Sequence, residues 1–233
     1  MTAAASKWGA RAARTYDRGY AERYRERDDS GAAIAELGRW LGAVCDRFDG
    51  PIDVLDLGCG TGRYFRFVRR ARTLVGVDVS KPMLDAARHP VGEVAASSVT
   101  LVEADFLSPS FAPGRFDLVF AIGVLAEHSP FDLALAQRVR SWLRPGGRFA
   151  FTALDVRCPS ISRTAGRRVA EWLLPIAGPF RPAIGTRLLS GGLYADRPFL
   201  ERVLRAAGFE VETIEPFQSD VHLHLLAVAR SRA

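Results

Sequence analysis

The chain has 233 residues, enough for one domain with a full α/β core, and its 48% hydrophobic content argues against disorder. It carries a net charge of +6, but Lys7 and Lys81 are the only lysines among 32 basic residues; such a bias reflects coding-DNA composition better than a phosphate-binding face, so nucleic acid is not the expected partner. No run reaches the roughly 18 apolar residues of a membrane span, the N-terminus lacks a hydrophobic signal core, and Cys45, Cys59 and Cys158 are too few and scattered for a disulfide framework or a zinc site, which together predict a soluble, reducing, cytoplasmic setting.

The first thirty residues read as polar and helical, with Tyr16, Tyr20 and Tyr24 every four positions along one side of a helix. Residues 34–48 form an amphipathic helix with Ile34, Leu37, Leu41, Val44 and Phe48 as its stripe, ended by Gly50-Pro51. Strands are predicted at 52–57, 73–79, 99–103, 116–122 and 147–154, with helices near 62–71, 81–88 and 131–143 between them. Near-continuous apolar runs such as 116–122 suit a parallel sheet covered on both faces, and the alternation implies right-handed crossovers in an open, doubly wound α/β sheet. The rhythm breaks at 156–192. It resumes with a helix at 198–207, opened by Pro198 and closed by Gly208. Two strands follow, near 209–215 and 221–229, whose short connection favours an antiparallel pair.

Three features line up at successive strand ends. Residues 54–64 read Val-Leu-Asp-Leu-Gly-Cys-Gly-Thr-Gly-Arg-Tyr, a strand followed by Gly58, Gly60 and Gly62. Glycines there let a ligand lie against the backbone, and a following helix would aim free N–H groups at it. A dinucleotide fingerprint wants its third glycine one place later, where Arg63 stands. Asp78 ends the second strand, placed to accept hydrogen bonds from two ribose hydroxyls; an N-cap is the alternative, although Ser80 is better placed for it. Asp105 ends the third strand, where a carboxylate accepts from an exocyclic amine beside the Phe106 ring; an ordinary turn is the alternative.

With these residues the chain resembles the class I S-adenosylmethionine-dependent methyltransferases. The matching segments are Asp56–Gly62 (cofactor loop), Asp78 (ribose acid), Asp105 (adenine acid), Phe116–Leu125 (fourth strand) and Leu143–Phe149 (the helix–turn–strand after it). The resemblance implies a single Rossmann-like methyltransferase domain over 1–233: seven strands, mostly parallel, with a C-terminal antiparallel hairpin. Residues 1–50 would be a helical lid and 156–192 a substrate-pocket insertion. It implies S-adenosylmethionine as methyl donor, with S-adenosylhomocysteine as product. The cofactor would be bound by Tyr16 and Tyr24 of the lid, Gly58, Cys59, Gly60 and Gly62 of a loop ordered by Asp56, Asp78 and Val79, Met83, Asp105, Phe106 and Ile122.

Methyl transfer from a sulfonium needs alignment and water exclusion above all, and a general base only when the acceptor must lose a proton. Family members often carry a histidine after the fourth strand, which puts Glu127 and His128 forward as the catalytic pair; no metal is assigned. Ala126 is one residue more than the family spacing there, and Ser129 or His128 capping the next helix is the other reading. His222 and His224 share a strand face but have no evident partner, and are expected to be exposed. In 156–192, Trp172, Leu173, Leu174, Pro175, Ile176 and Phe180 suit an apolar pocket wall. Arg163, Arg167, Arg168, Arg181 and Arg187 suit an anionic group or a solvated helix face. Neither a DNA-methylating Pro-Pro-aromatic run nor a paired-glutamate loop follows the fourth strand. The expected activity is therefore methylation of an O, N or C nucleophile of a small molecule in secondary metabolism. The alternatives are an RNA methyltransferase and a cofactor-binding protein of this fold without methyl transfer. A homodimer is compatible with the sequence.

Overall fold

The structure, a computed structural model, describes residues 6–28, 31–107, 111–158, 193–219 and 222–232. Helices α1 (Lys7–Thr15), α2 (Arg18–Arg25) and α3 (Ala32–Cys45) precede strands β1 (Ile52–Leu57) and β2 (Ala71–Asp78). Then come α4 (Lys81–Ala87), β3 (Ala96–Glu103), β4 (Phe116–Leu125), α5 (Leu133–Trp142), β5 (Leu143–Leu154), α6 (Arg197–Ala206), β6 (Phe209–Gln218) and β7 (Leu223–Ser231). The sheet has seven strands in the order β3-β2-β1-β4-β5-β7-β6. β1 to β5 are parallel, and β7 runs antiparallel to both β5 and β6. This is the expected doubly wound α/β sheet with its C-terminal hairpin.

All six side chains of β1 are buried, because successive residues face two different cores. On one face Leu55, Leu57, Val119, Phe149 and Phe151 meet α5 and α6 through Leu135, Val139, Leu200 and Leu204. On the other, Val54, Leu74, Leu118 and Phe120 meet α3 through Leu37, Leu41 and Val44. Strand order turns outward in both directions from β1 and β4, and ligands of such sheets sit at that reversal, beyond the C-terminal strand ends.

The structure corrects several local expectations. The helix near 62–71 does not form; a single 3-10 turn, Phe65–Phe67, stands there. Thirteen residues, 58–70, join β1 to β2, and the first five are spent on the glycine loop. Phe65 and Val68, three apart, then both bury on the sheet, which 3-10 spacing permits. The predicted N-terminal helix is broken at Tyr16, since Asp17 caps α2 by accepting from the Tyr20 N–H at 2.8 Å. α3 stops at Cys45, short of Phe48, whose ring lies 5.0 Å from the Arg148 guanidinium. α5 is capped by Asp132, not by His128 or Ser129, through the Leu135 N–H at 2.8 Å. Ser80 caps α4, accepting from the Met83 N–H. Of the insertion at 156–192, residues 159–192 lie outside the described residues, including its pocket-wall residues and arginines.

At the edge of the sheet opposite the ligand crevice, Asp53 of β1 accepts from Arg72 and from Thr73 (2.8 Å) on β2, and from Arg144 (2.8 Å) on β5. Arg144 also donates to Asp117 of β4, which accepts the Asp53 backbone N–H at 2.8 Å. The hydrogen bonds from Arg72, with those of Arg144 and Thr73, outweigh burial and hold the Asp53 carboxyl well below the usual carboxylate range. Asp53→Ala therefore lowers unfolding free energy in urea by about 1–3 kcal/mol at neutral pH. Because the folded-state value is depressed, this contribution is present above the unfolded value of about pH 4 and fades as pH falls below it. The gap between native and variant narrows there, and a gap that stays constant down to the acid transition contradicts the assignment.

Candidate active site

A cavity of about 230 Å³ lies at the C-terminal ends of β1, β2, β3 and β4, covered by residues of α1 and α2. Gly58 takes φ +74°, a conformation that favours glycine, and a Cβ on it would come within 2.6 Å of Val124. The loop is held from β2: the Val77 carbonyl accepts from the Gly58 and Cys59 N–H groups at 2.8 and 3.0 Å. The Asp78 carboxylate accepts from the Gly60 N–H (2.9 Å) and the Ser80 N–H (2.8 Å). Burial raises the Asp78 carboxyl above its usual range, against the pull of those backbone hydrogen bonds.

Ten of the expected cofactor residues line this cavity: Tyr16, Tyr24, Gly58, Gly60, Asp78, Val79, Met83, Asp105, Phe106 and Ile122. Glu127 and His128 line it too. Asp56, Cys59 and Gly62 do not. Asp56 lies fully buried in β1, its carboxyl raised by desolvation and by the charge of Asp78, and the loop takes its hydrogen bonds from β2 instead. Cys59 points inward against Gly76, and burial pushes its thiol up. Gly62 is shaped by packing, for a Cβ there would come within 2.8 Å of Phe65.

Residues missed from sequence come largely from the N-terminal helices. Trp8, Gly9 and Ala12 of α1 and Tyr20 of α2 face the cavity. α1 docks directly on the third-strand acid: the Ser6 N–H donates to Asp105 Oδ2 at 2.7 Å, and the Leu107 N–H to Oδ1 at 3.0 Å. Gly9 sits so close that a Cβ would overlap that carboxylate at 2.3 Å. The signal in the sequence was the tyrosine spacing, which included Tyr20; α1 has no motif that marks its target. The Ser80 hydroxyl, besides capping α4, donates to the Tyr16 carbonyl at 2.5 Å, so the lid is fastened beside Asp78. Burial, with the charges around it, raises the Tyr16 phenol, and burial raises that of Tyr24 to about 12, so both rings face the cavity as neutral phenols.

At the other side of the cavity the chain leaves β4 by a tight turn. Ala126 accepts the turn's strain, with φ +54° in a non-glycine residue. The turn closes by bonds from the His128 and Ser129 N–H groups to the Val124 carbonyl at 2.9 and 3.1 Å, and from the Ala126 N–H to the Ser129 carbonyl at 2.7 Å. It presents His128, about half exposed, with Nε2 at 3.5 Å from Glu127 Oε1 and its ring edge-on to Tyr16 at 5.8 Å. The second Glu127 oxygen lies 3.4 Å from His224 Nε2. This overturns the expectation for His224, which is only 9% exposed. Burial alone would raise the Glu127 carboxyl, but contact with His224 and the charges of His128, His224 and His222 hold it below its usual range. Among the described residues, no group of three or more His, Cys, Asp or Glu side chains is placed to hold a metal. No helix among them is long and apolar enough to cross a membrane.

Residues 54–147 match a family described as a methyltransferase domain. The chain is 31% identical over 163 residues to nocamycin O-methyltransferase of Saccharothrix syringae, covering 68% of this chain and 54% of that protein. It is 30% identical over 170 residues to demethylmenaquinone methyltransferase of Lactococcus lactis, covering 68% and 66%. The chain thus spans about half to two thirds of the length of these relatives. A solved structure of Burkholderia thailandensis 1,6-didemethyltoxoflavin N1-methyltransferase, with 1,6-didemethyltoxoflavin and S-adenosylhomocysteine bound, shares the fold at a TM-score of 0.62 and 21% identity, covering 100% of this chain and 93% of that one.

Arg63, the residue that broke the dinucleotide pattern, fastens α2 to the glycine loop. Its guanidinium stacks 3.6 Å from the Tyr24 ring centroid and donates at 2.7 Å to Asp28, a carboxylate only 1% exposed. The Thr61 hydroxyl donates to the other Asp28 oxygen at 2.6 Å. Arg63→Ala leaves that buried carboxylate without its cation, which elsewhere costs about 3–5 kcal/mol. Amide hydrogen exchange across residues 18–28 is expected to accelerate by roughly tenfold or more, with β1 and β4 unchanged. Unchanged protection of α2 would show that Arg63 does not anchor it.

Proposed function

We propose that this chain, which belongs to the class I S-adenosylmethionine-dependent methyltransferases, methylates a hydroxyl or other proton-bearing nucleophile of a small molecule, in secondary metabolism. The observation that carries the reading is the shared cavity. It joins a nucleoside-type set, Gly58, Gly60, Asp78, Met83, Asp105 and Phe106, to a proton-handling pair, Glu127 and His128.

The side chains present fit the cofactor. Asp78 and Asp105 are acceptors of the kind that ribose hydroxyls and an exocyclic amine require, and Met83 and Phe106 are apolar partners for a base. When bound, S-adenosylmethionine supplies a methyl group on a cationic sulfur, whose departure leaves the bonding electron pair on sulfur as S-adenosylhomocysteine. The protein's own part is alignment, exclusion of water and removal of a proton. Tyr16, Tyr20 and Trp8 cover the cavity and exclude water, and their rings suit a flat acceptor. His128 takes the proton that the acceptor loses, and the Glu127 carboxylate beside it stabilises the imidazolium so formed. A hydroxyl acceptor is supported by the relative named as an O-methyltransferase.

Calorimetry with S-adenosylhomocysteine is expected to show one site, weakened about tenfold or more by Asp78→Ala through loss of charge-assisted hydrogen bonds. His128→Ala is expected to keep that affinity within about twofold while lowering methyl transfer to a hydroxylated acceptor by about 10²-fold or more. Absence of binding heat at high protein concentration refutes the cofactor reading. A His128→Ala enzyme with native kcat refutes the base.

A further inference from the structure

We propose that His224, on the C-terminal strand β7, is a positioning residue for the Glu127–His128 pair, anchoring one Glu127 oxygen so that the other faces His128. The inference deepens the proposed function and rests on its reading of His128 as the base.

Three observations support it. Glu127 lies between the two imidazoles, with Oε1 at 3.5 Å from His128 Nε2 and Oε2 at 3.4 Å from His224 Nε2. The three residues come from places far apart in sequence, the turn after β4 and the start of β7, so only the fold assembles them. Among the described residues, Glu127 is the carboxylate that His224 meets, and its ring otherwise packs near those of His222 at 5.8 Å and Phe217 at 6.4 Å. Its partners in the sheet are Leu154 on β5 and Phe217 on β6, and the residues after it in β7 are Leu225, Leu226, Ala227 and Val228. Its Nδ1 is buried and has no hydrogen-bond partner among the described residues, a penalty that an apolar residue would avoid. What a leucine there could not supply is the contact to Glu127.

Glu127 is faced by His128 on its own turn, by His222 and His224 at the start of β7, by Tyr16 at the end of α1 and by Tyr24 on α2. Burial of Glu127 disfavours its charge, and the contact with His224 opposes this. Without His224 the carboxyl is protonated at higher pH, and protonated Glu127 no longer stabilises the imidazolium of His128.

His224→Leu, with His224→Gln as the polar control, tests this by two readings. In the protein without ligands, carboxyl-carbon NMR of Glu127, assigned with Glu127→Gln, is expected to show its titration moved up by about one pH unit or more in both variants. In assays kcat falls about tenfold at the pH of the native optimum, where Glu127 is ionised in native and variant alike, because the carboxylate is no longer held toward His128, and KM stays nearly unchanged. In a Glu127→Gln background, His224→Leu has no further effect on kcat. S-adenosylhomocysteine affinity within about twofold of native shows that the variants are folded. A Glu127 titration unmoved in both variants, or an effect on kcat that simply adds to that of Glu127→Gln, overturns the proposal. Failure of the underlying reading is distinct: it is a His128→Ala enzyme that keeps its kcat, whatever Glu127 does in the NMR titration.

Discussion

The buried carboxylate of Asp78 is the joint on which the site depends. One oxygen accepts from Gly60 and so holds the glycine loop, while the other accepts from Ser80 at the entry to α4. Ser80 passes the constraint on, because its hydroxyl caps α4 and donates to the carbonyl of Tyr16. Loop, strand end, helix start and lid are thus fixed relative to one another by three adjacent polar groups. Each of these groups is satisfied, as buried polar atoms must be if they are to stabilise rather than strain a fold. The same carboxylate lines the cavity, so the group that orders the loop is also one that a ligand's hydroxyls would meet.

The second fastening is ionic. Arg63 occupies the position at which a dinucleotide loop would need a glycine, and the structure gives that departure a purpose. A long cation at the end of the loop reaches back to Asp28 and Tyr24, which a glycine cannot do. A buried ion pair is weak evidence of stability, since desolvation offsets much of the attraction. Its value lies in registry: the Asp28 carboxylate is matched by the Arg63 guanidinium and the Thr61 hydroxyl together, which sets where α2 can sit. The short connection from β1 to β2 leaves no full helix to cover this side of the loop, and the N-terminal helices take that place.

The proposed proton-handling pair stands where β4 gives way to its turn. The left-handed Ala126 lets the chain reverse within five residues and brings Glu127 and His128 back over the cavity. Glu127 remains ionised in spite of its burial because imidazoles flank it on both sides. One of these comes from the adjacent turn position, the other from β7, so the antiparallel hairpin reaches the turn after β4 and does more than close the sheet.

The glycine loop, Asp78 and Asp105 were legible in the sequence because each follows a strand whose apolar pattern gives its length and end, and a strand end in a parallel sheet has a known place relative to the crevice. The same patterning announced the doubly wound sheet and the C-terminal hairpin, since periodicity reports burial on one or both faces. Boundaries were less legible: β2, β3 and β5 start two to four residues early; in β2 and β3 the pairing reaches back past the apolar run to Ala71, Ala96 and Ser98, which carry little hydrophobic signal, and in β5 an isolated pairing of Leu143 with Phe116 precedes an irregular register. The expected helix after the loop failed for a related reason, as Phe65 and Val68 satisfy a 3-10 turn as well as an α-helix. Only the tertiary structure decided that Asp56, Cys59 and Gly62 stand behind the cavity, that Ser6 and Gly9 press on Asp105, that Arg63 finds Asp28, and that His224 lies buried against Glu127. The last three are contacts between residues distant in sequence. Local pattern records which face of an element is covered, whereas the identity of the covering atom depends on how whole elements are placed on one another.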